Sequence, residues 1–221
     1  RQEPRILLIP KDEVTFVDFW PVHGLRGTAS FSFEADDLFV PEHRVYNPDG
    51  IPREDGPVFG IPTTLLFATG FSTVALGIAK ASLNIAIDLA GKKIPGRATR
   101  LLQDEATTQR IIGEAEAIWY SAKAFLREAH GSVWEAVTAR EPLTTEKRVM
   151  LRLAATFGIQ KAKEVVDTAY DLCGSSAILD TNPILRRFQD IHVVSQHIQG
   201  RPTHFETAGQ FFMGMKPEGN F

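Results

Sequence analysis

His192 and His197, five residues apart near the end of the chain, are the side chains with the widest chemical reach, because an imidazole can donate a hydrogen bond or move a proton near neutral pH. On one helix, five residues turn through roughly 500°, which leaves the two rings about 140° apart, so at most one can face a small site. They lack i,i+4 spacing and a carboxylate at ligand distance, so no metal centre is expected. Arg186 and Asp190 are spaced as an ordinary helix ion pair, worth about 0.3 kcal/mol. Arg26 sits in the turn Gly24-Leu25-Arg26-Gly27 and suits either a solvated turn or a contact to substrate or a partner subunit. Arg97 and Arg100 follow Gly96 on the approach to a helix, a place where arginines are common. Gly174-Ser175-Ser176 reads as a helix connection rich in cap residues. Trp119, Trp134, Phe157 and Tyr170 fall at helical spacing, as core or interface residues do. Cys173 is the single cysteine; it excludes an intrachain disulfide and is expected to be a small buried residue rather than a reactive thiol.

Two kinds of element must position these side chains. Up to Val45 the runs are short, β-branched and aromatic: residues 6–9, 14–20 and 28–33, separated by Pro10-Lys11-Asp12 and by the Gly24–Gly27 turn. They predict two to four strands. Residues 51–62 form a proline-rich connector, preceded by the turn former Asn47-Pro48-Asp49-Gly50. The period then becomes helical. Four long helices are predicted: residues 64–91; residues 99–130, with Gly131 as C-cap; residues 144–173, opened by the Thr144 cap and stopped by Gly174; and a last helix starting at Pro183, after Asn182, and ending near Ile198. The expected class is therefore α+β and mainly α, with an antiparallel four-helix bundle over residues 63–221 and a strand domain over residues 1–50.

Composition bounds the function. The 221 residues are 43% hydrophobic and 23% charged, enough for a substantial core. A net charge of −3, with the basic residues dispersed, argues against nucleic-acid and membrane-surface partners. The apolar stretch of residues 65–90 is interrupted by Lys80, Asn84 and Asp88 and is expected to be a buried helix rather than a span. The cytoplasm is the default location. The chain opens on Arg1, directly into a strand-like run, and reads as starting inside a domain.

Two segments carry a family resemblance. One is Trp20-Pro21-Val22-His23-Gly24-Leu25-Arg26-Gly27-Thr28-Ala29-Ser30, closing with Val40-Pro41-Glu42. The other is Leu172-Cys173-Gly174-Ser175-Ser176-Ala177, followed by residues 182–192, Asn-Pro-Ile-Leu-Arg-Arg-Phe-Gln-Asp-Ile-His, and by Ser195-Gln196-His197. The first resembles the end of the middle β-barrel of the acyl-CoA dehydrogenase superfamily. The second resembles the last helices of its flavin-dependent monooxygenase branch, which includes two-component aromatic hydroxylases and the dibenzothiophene and indole-acetate monooxygenases. The resemblance implies the end of a barrel (residues 1–50) followed by a bundle, and a flavin, FAD or FMN, held between them and completed by a neighbouring subunit of a homotetramer. It also implies a small substrate, aromatic in the hydroxylases of this branch, and, in the two-component arrangement, a separate flavin reductase.

By the same resemblance, Arg97 and Arg100 contact the dinucleotide phosphates of a neighbour, Gly174 and Ser175 approach the adenine side, and Arg187 with Asp190 fixes the last helix near the flavin. A dehydrogenase of this superfamily needs a glutamate base at one of two places. Here Phe67 stands in one, and Ser195-Gln196-His197-Ile198-Gln199-Gly200 in the other. His197, with His192 behind it, is the implied group that steadies charge developing on oxygen. The expected function is monooxygenation by reduced flavin and oxygen. An acyl-CoA dehydrogenase with its base elsewhere and a non-catalytic helical scaffold are the alternatives.

Overall fold

The computed structural model describes residues 5–17, 20–47, 50–219 and 221. Contacts divide the chain into two units, residues 1–55 and residues 56–221, the division falling within the proline-rich connector.

Among the described residues the first unit holds four two-residue strands. β1 (Ile6–Leu7) pairs antiparallel with β4 (Val45–Tyr46), and β2 (Thr15–Phe16) pairs antiparallel with β3 (Phe33–Glu34). The strands are shorter than their sequence runs. Residues 28–33 were expected to be extended, but Leu25 and Ala29 take positive φ (49° and 46°) around a 3-10 turn at Arg26–Thr28, which delays the strand to Phe33. Two-stranded ladders are marginal without a face to pack on, and Ile6, Leu7, Phe16 and Phe33 remain exposed here. Asp18 and Phe19 of the expected second strand, and Pro48-Asp49 of the expected turn, lie outside the described residues.

The second unit is helical: α1 (Thr63–Ala90), α2 (Ala106–Thr138), α3 (Thr145–Cys173), α4 (Pro183–Gln196) and α5 (Thr203–Phe212). α3 is its centre, touching each of the other four helices. Its buried positions include Val149, Arg152, Ala155, Ile159, Ala162, Val166, Ala169 and Cys173, a three-and-four spacing that presents one continuous face. α1 answers with Leu65, Ala68, Ser72, Ala75, Ala79, Leu83, Ala86 and Ala90. At Gly158 the two helices approach so closely that an added Cβ would run into Ser72 Oγ.

α1 is long and apolar enough to cross a membrane by length and composition, with a mean hydropathy of 1.4 over its best window, so its polar interruptions are weaker than the sequence suggested. Its buried stripe is packed on α3.

Local chemistry explains the helix ends. Thr144 caps α3, its hydroxyl accepting from Lys147 N (3.2 Å), and Gly174 ends it at φ +54°. Asn182 Oδ1 accepts from Ile184 N (3.0 Å), with Pro183 in the first turn of α4. Three expectations fail. Gly131 does not end α2, because burial of Val133, Ala136 and Val137 carries the helix on to Thr138. α2 starts at Ala106 rather than near residue 99, since Leu102–Asp104 forms a separate 3-10 turn. The helix from Pro183 is not the last, because α5 follows it after Pro202.

Candidate functional site

His197 is not on α4. It is the residue at which that helix ends, extended at φ −65° and ψ 149°, and it opens a 3-10 turn, Ile198–Gly200. The 140° argument therefore does not apply to the two histidines, because the second has left the helix. The His197 ring lies on Phe71 of α1, with centroids 3.8 Å apart and planes 10° from parallel. Nδ1 accepts from Gln199 N at 3.3 Å, so in the neutral ring the proton belongs on Nε2. The ring is exposed at one side and shielded at the other, and this partial burial lowers its pKa from the ordinary histidine value.

Beside the stack, α1 presents Phe67 (58% exposed), Gly70, Val74 (53% exposed) and Gly77, at spacings of three and four on one stripe. A Cβ added at Gly70 or Gly77 would meet nothing within 4 Å. Phe67, one of the two positions where a glutamate was sought, is thus an open apolar side chain one turn from the partner of His197.

The turn after His197 is tied to α3. Arg152 is 2% exposed; its Nη1 donates to Gln199 Oε1 and its Nη2 to Thr64 O (3.2 Å), while its Nε is buried with no hydrogen-bond partner among the described residues. Desolvation lowers its pKa to about 10. Gln160 Nε2 donates to Gly200 O (2.6 Å), and Thr156 Oγ1 reaches Gln199 O at 3.5 Å. His204 Nε2 bonds Ile198 O (2.8 Å), and its pKa is lowered by burial first and then by the charges of Arg152 and Arg201, against the backbone bond. Arg152, Gln199, Arg201 and His204 share a cleft of about 340 Å³ with Thr64 and the start of α5.

His192 stays on α4, its Nε2 2.9 Å from Asp167 Oδ1 and its ring 4.4 Å from Phe188. Arg186 Nε lies 3.7 Å from Asp190 Oδ2, the arginine exposed and the carboxylate largely buried. Arg187 Nε is buried with no hydrogen-bond partner among the described residues. The remaining candidates gather elsewhere. Lys93, just past α1, donates from Nζ to Cys173 O (2.8 Å) and Ser176 Oγ (3.1 Å), and its carbonyl accepts from Leu102 N (2.8 Å), so Gly174, Ser175 and the loop bearing Arg97 and Arg100 share one end of the helical unit. Phe71 and Ala90 are separated by about 30 Å of helix at 1.5 Å per residue, so this end is remote from His197. Arg97 is exposed at φ +69°, and Arg100 pairs with Glu105 at 3.1 Å. In the first unit, Arg26 Nε donates to Val22 O (3.1 Å) and closes its own turn. Trp119 is buried, its Nε1 donating to Leu76 O (2.9 Å), whereas Trp134 is 42% exposed. Cys173 is fully buried, and desolvation raises its thiol pKa. Among the described residues no group of three or more His, Cys, Asp or Glu could hold a metal ion.

Sequence reasoning missed Phe71, Arg152, Gln160, Gln199 and His204. The signal for Arg152 was present: a lone arginine between Leu151 and Leu153, on the apolar face of a long helix.

The family described as "Acyl-CoA dehydrogenase, C-terminal domain" matches residues 69–202. An indole-3-acetate monooxygenase from Pseudomonas putida is 33% identical over 215 residues, covering 97% of this chain and 55% of that protein. The oxygenase component of an FADH2-dependent resorcinol hydroxylase from Rhizobium sp. is 24% identical, covering 100% of this chain and 58% of its own length. A solved structure of XiaF from Streptomyces sp., in complex with FADH2 and glycerol, superposes with a TM-score of 0.89 at 20% identity, over 99% of this chain and 58% of that one. The chain spans somewhat over half the length of the relatives it matches.

Proposed function

The chain belongs to the family of acyl-CoA dehydrogenase C-terminal domains, and from that premise we propose that it is the C-terminal part of the oxygenase component of a cytoplasmic, flavin-dependent monooxygenase. It acts on a small aromatic substrate, with reduced FAD or FMN delivered by a separate reductase. The names of the relatives support this branch of the superfamily: an indole-3-acetate monooxygenase and a resorcinol hydroxylase oxygenase component. On this reading residues 1–50 are the end of a middle β-barrel, residues 51–62 a connector, and residues 63–221 an antiparallel four-helix bundle that assembles into a homotetramer.

The observation that carries the chemistry is the His197 turn. Where a dehydrogenase would hold a glutamate, this chain holds an imidazole whose Nδ1 accepts a backbone N–H and whose ring is stacked on Phe71. A neutral imidazole donates from Nε2 and cannot replace a carboxylate as a standing negative base. Its natural use is to donate a hydrogen bond to oxygen or to a substrate hydroxyl, and to take or return a proton as charge moves.

The surroundings fit a flavin. Phe67, Phe71 and Val74 offer an apolar strip to a planar ring, and further along α4 the Nε of Arg187, buried without a partner among the described residues, is a donor suited to an acceptor oxygen. A bound reduced flavin supplies the electrons that activate oxygen. The chain's own part is to exclude water along the strip, to hold the His197 proton on Nε2, and to fix α4 through Arg187 and Asp190. Arg97, Arg100, Gly174 and Ser175, remote from His197 within one chain, then serve the flavin of a neighbouring subunit. His192, held by Asp167, supports α4 from behind, and Arg26 faces substrate or a neighbour.

The test supplies the intact protein with reduced flavin, oxygen and either indole-3-acetate or a simple phenol. Hydroxylated product formed in proportion to oxygen consumed supports the reading. Reduction of bound oxidised flavin by an acyl-CoA, with no reductase present, overturns it in favour of dehydrogenation. Absence of flavin binding at micromolar concentration leaves the scaffold as the better account.

A further inference from the structure

We infer that Arg152, Thr156 and Gln160 are positioning residues: a polar stripe on α3 that clamps the Ile198–Gly200 turn and so decides which nitrogen of His197 carries the proton and how the ring lies on Phe71. The inference rests on the reading of His197 given above.

The three side chains are spaced i, i+4 and i+8, so they drift only about 40° per step and run some 12 Å along one face of α3. All three reach the same three-residue turn. Arg152 bonds the Gln199 side chain, Thr156 approaches the Gln199 carbonyl at 3.5 Å, and Gln160 holds the Gly200 carbonyl at 2.6 Å. The turn is also pressed against the helix: a Cβ at Gly200 would lie 3.0 Å from Ile159 Cγ2 and 3.2 Å from Ser195 O. Arg152 bonds Thr64 O as well, which ties the turn to α1, the helix that carries Phe71.

Terminating a helix does not require a buried guanidinium. Arg152 is 2% exposed, its hydrogen bonds among the described residues go to neutral oxygens, and its Nε has no partner among them. A charge buried in this way is unfavourable compared with an apolar side chain of similar size, so its role is better sought in what it orients. It orients Gln199, whose own N–H donates to His197 Nδ1. That bond selects the neutral ring protonated at Nε2 and disfavours a proton on Nδ1. The ring's other constraint is the face-to-face contact with Phe71. With the turn released, the exposed His197 would keep the stacking surface and lose the tautomer control.

The experiment is nitrogen NMR of 15N-histidine-labelled intact protein, without flavin or substrate, at a pH where His197 is neutral. The His197 signals are assigned by their loss in His197→Gln. In the unsubstituted protein they should show an unprotonated Nδ1 and a protonated Nε2. In Arg152→Met and Gln160→Leu they should move toward a mixture of tautomers, and Arg152→Lys should restore part of the original pattern. Lys93→Met, which disturbs the opposite end of the unit, should leave them unchanged. Under turnover, the clamp variants should lose roughly 10- to 100-fold in kcat, with KM for the aromatic substrate little altered. A His197 tautomer identical in both clamp variants overturns the inference. If Arg152→Met does not fold, Gln160→Leu decides it alone. Because the NMR needs no catalysis, a clamp-dependent tautomer in a protein that hydroxylates nothing would sink the proposed function and leave the clamp standing.

Discussion

At both ends of the helical unit a cationic side chain donates to neutral oxygens, but the two ends use the arrangement differently. At the Lys93 end, the ammonium donates to Cys173 O and Ser176 Oγ, Asn182 Nδ2 donates to Ser176 O, and Gly174 supplies the left-handed residue that ends α3. The bonds to Cys173 O and Ser176 O satisfy carbonyls at the end of α3 and in the turn after it, and a cation at the C-terminus is also favoured by the helix dipole. At the His197 end, a guanidinium is buried with one nitrogen unpaired, and an imidazole with a lowered pKa is held exposed against a phenyl ring. The first arrangement is explained by ending a helix. The second is more than helix termination needs, and that surplus is what the proposed role of His197 rests on.

His197→Ala should break the contrast most sharply if it is wrong. Removing this exposed side chain should lower hydroxylation by about 100-fold or more while shifting the unfolding free energy by only about 0.5 kcal/mol, as read by product analysis alongside denaturant unfolding. Equal losses in both would make His197 a structural residue.

Truncating the two cations comes next. Arg152→Ala should destabilise by about 3 kcal/mol, since it leaves a void and strips buried oxygens of their donor. Lys93→Ala, at a partly exposed terminus, should cost about 1 kcal/mol. Urea denaturation of the two variants measures the gap, and matching values would erase the distinction between the ends.

Arg97→Ala tests whether the Lys93 end has any ligand of its own. Its expected effect is a roughly tenfold weaker affinity for FAD, in line with one lost charge-assisted hydrogen bond, with FMN affinity retained because the mononucleotide has no adenosine arm to reach that far. Fluorescence titration with both flavins reads this. Unaltered FAD binding would confine the site to the His197 end.

The smallest effect is in pH. His197 and His204 have folded pKa values below the ordinary 6.5 because burial disfavours their charged forms. Their contribution to stability is therefore fully present above about pH 6.5, where both states are neutral. It is lost as pH falls through the folded values, because the unfolded chain takes up protons first. Unfolding midpoints between pH 7.5 and 5 should fall, and His204→Gln should flatten the decline. A midpoint that rises on acidification would mean that a neighbouring carboxylate governs the end.

What the sequence revealed follows the range of the interactions involved. The limits of α3 were legible because Thr144 and Gly174 act on their immediate neighbours. The end of α2 was misplaced at Gly131, a residue that looks like a cap, because the contacts holding the helix on to Thr138 come from elsewhere in the unit. In the same way, His197 was reachable through the pattern around it, but its setting was not. The stack on Phe71, the Arg152 bond to Gln199 and the bond to Thr64 link residues 126, 47 and 88 positions apart, and no local spacing encodes them. The apparent angle between His192 and His197 failed for a related reason: it assumed a helix that His197 itself terminates.

The Gly158–Ser72 crossing turns the helical unit into a gauge. If α1 slid along α3 by about one turn, Ser72 would meet the methyl groups of Ala154, Ala155 or Ala162 instead of a bare backbone, and the close approach at Gly158 would be lost. The pair is therefore pinned against axial slip, and the span of about 30 Å between its ends behaves as a fixed length. The Lys93 end and the His197 end are thereby held at one separation, whatever the turn at His197 does.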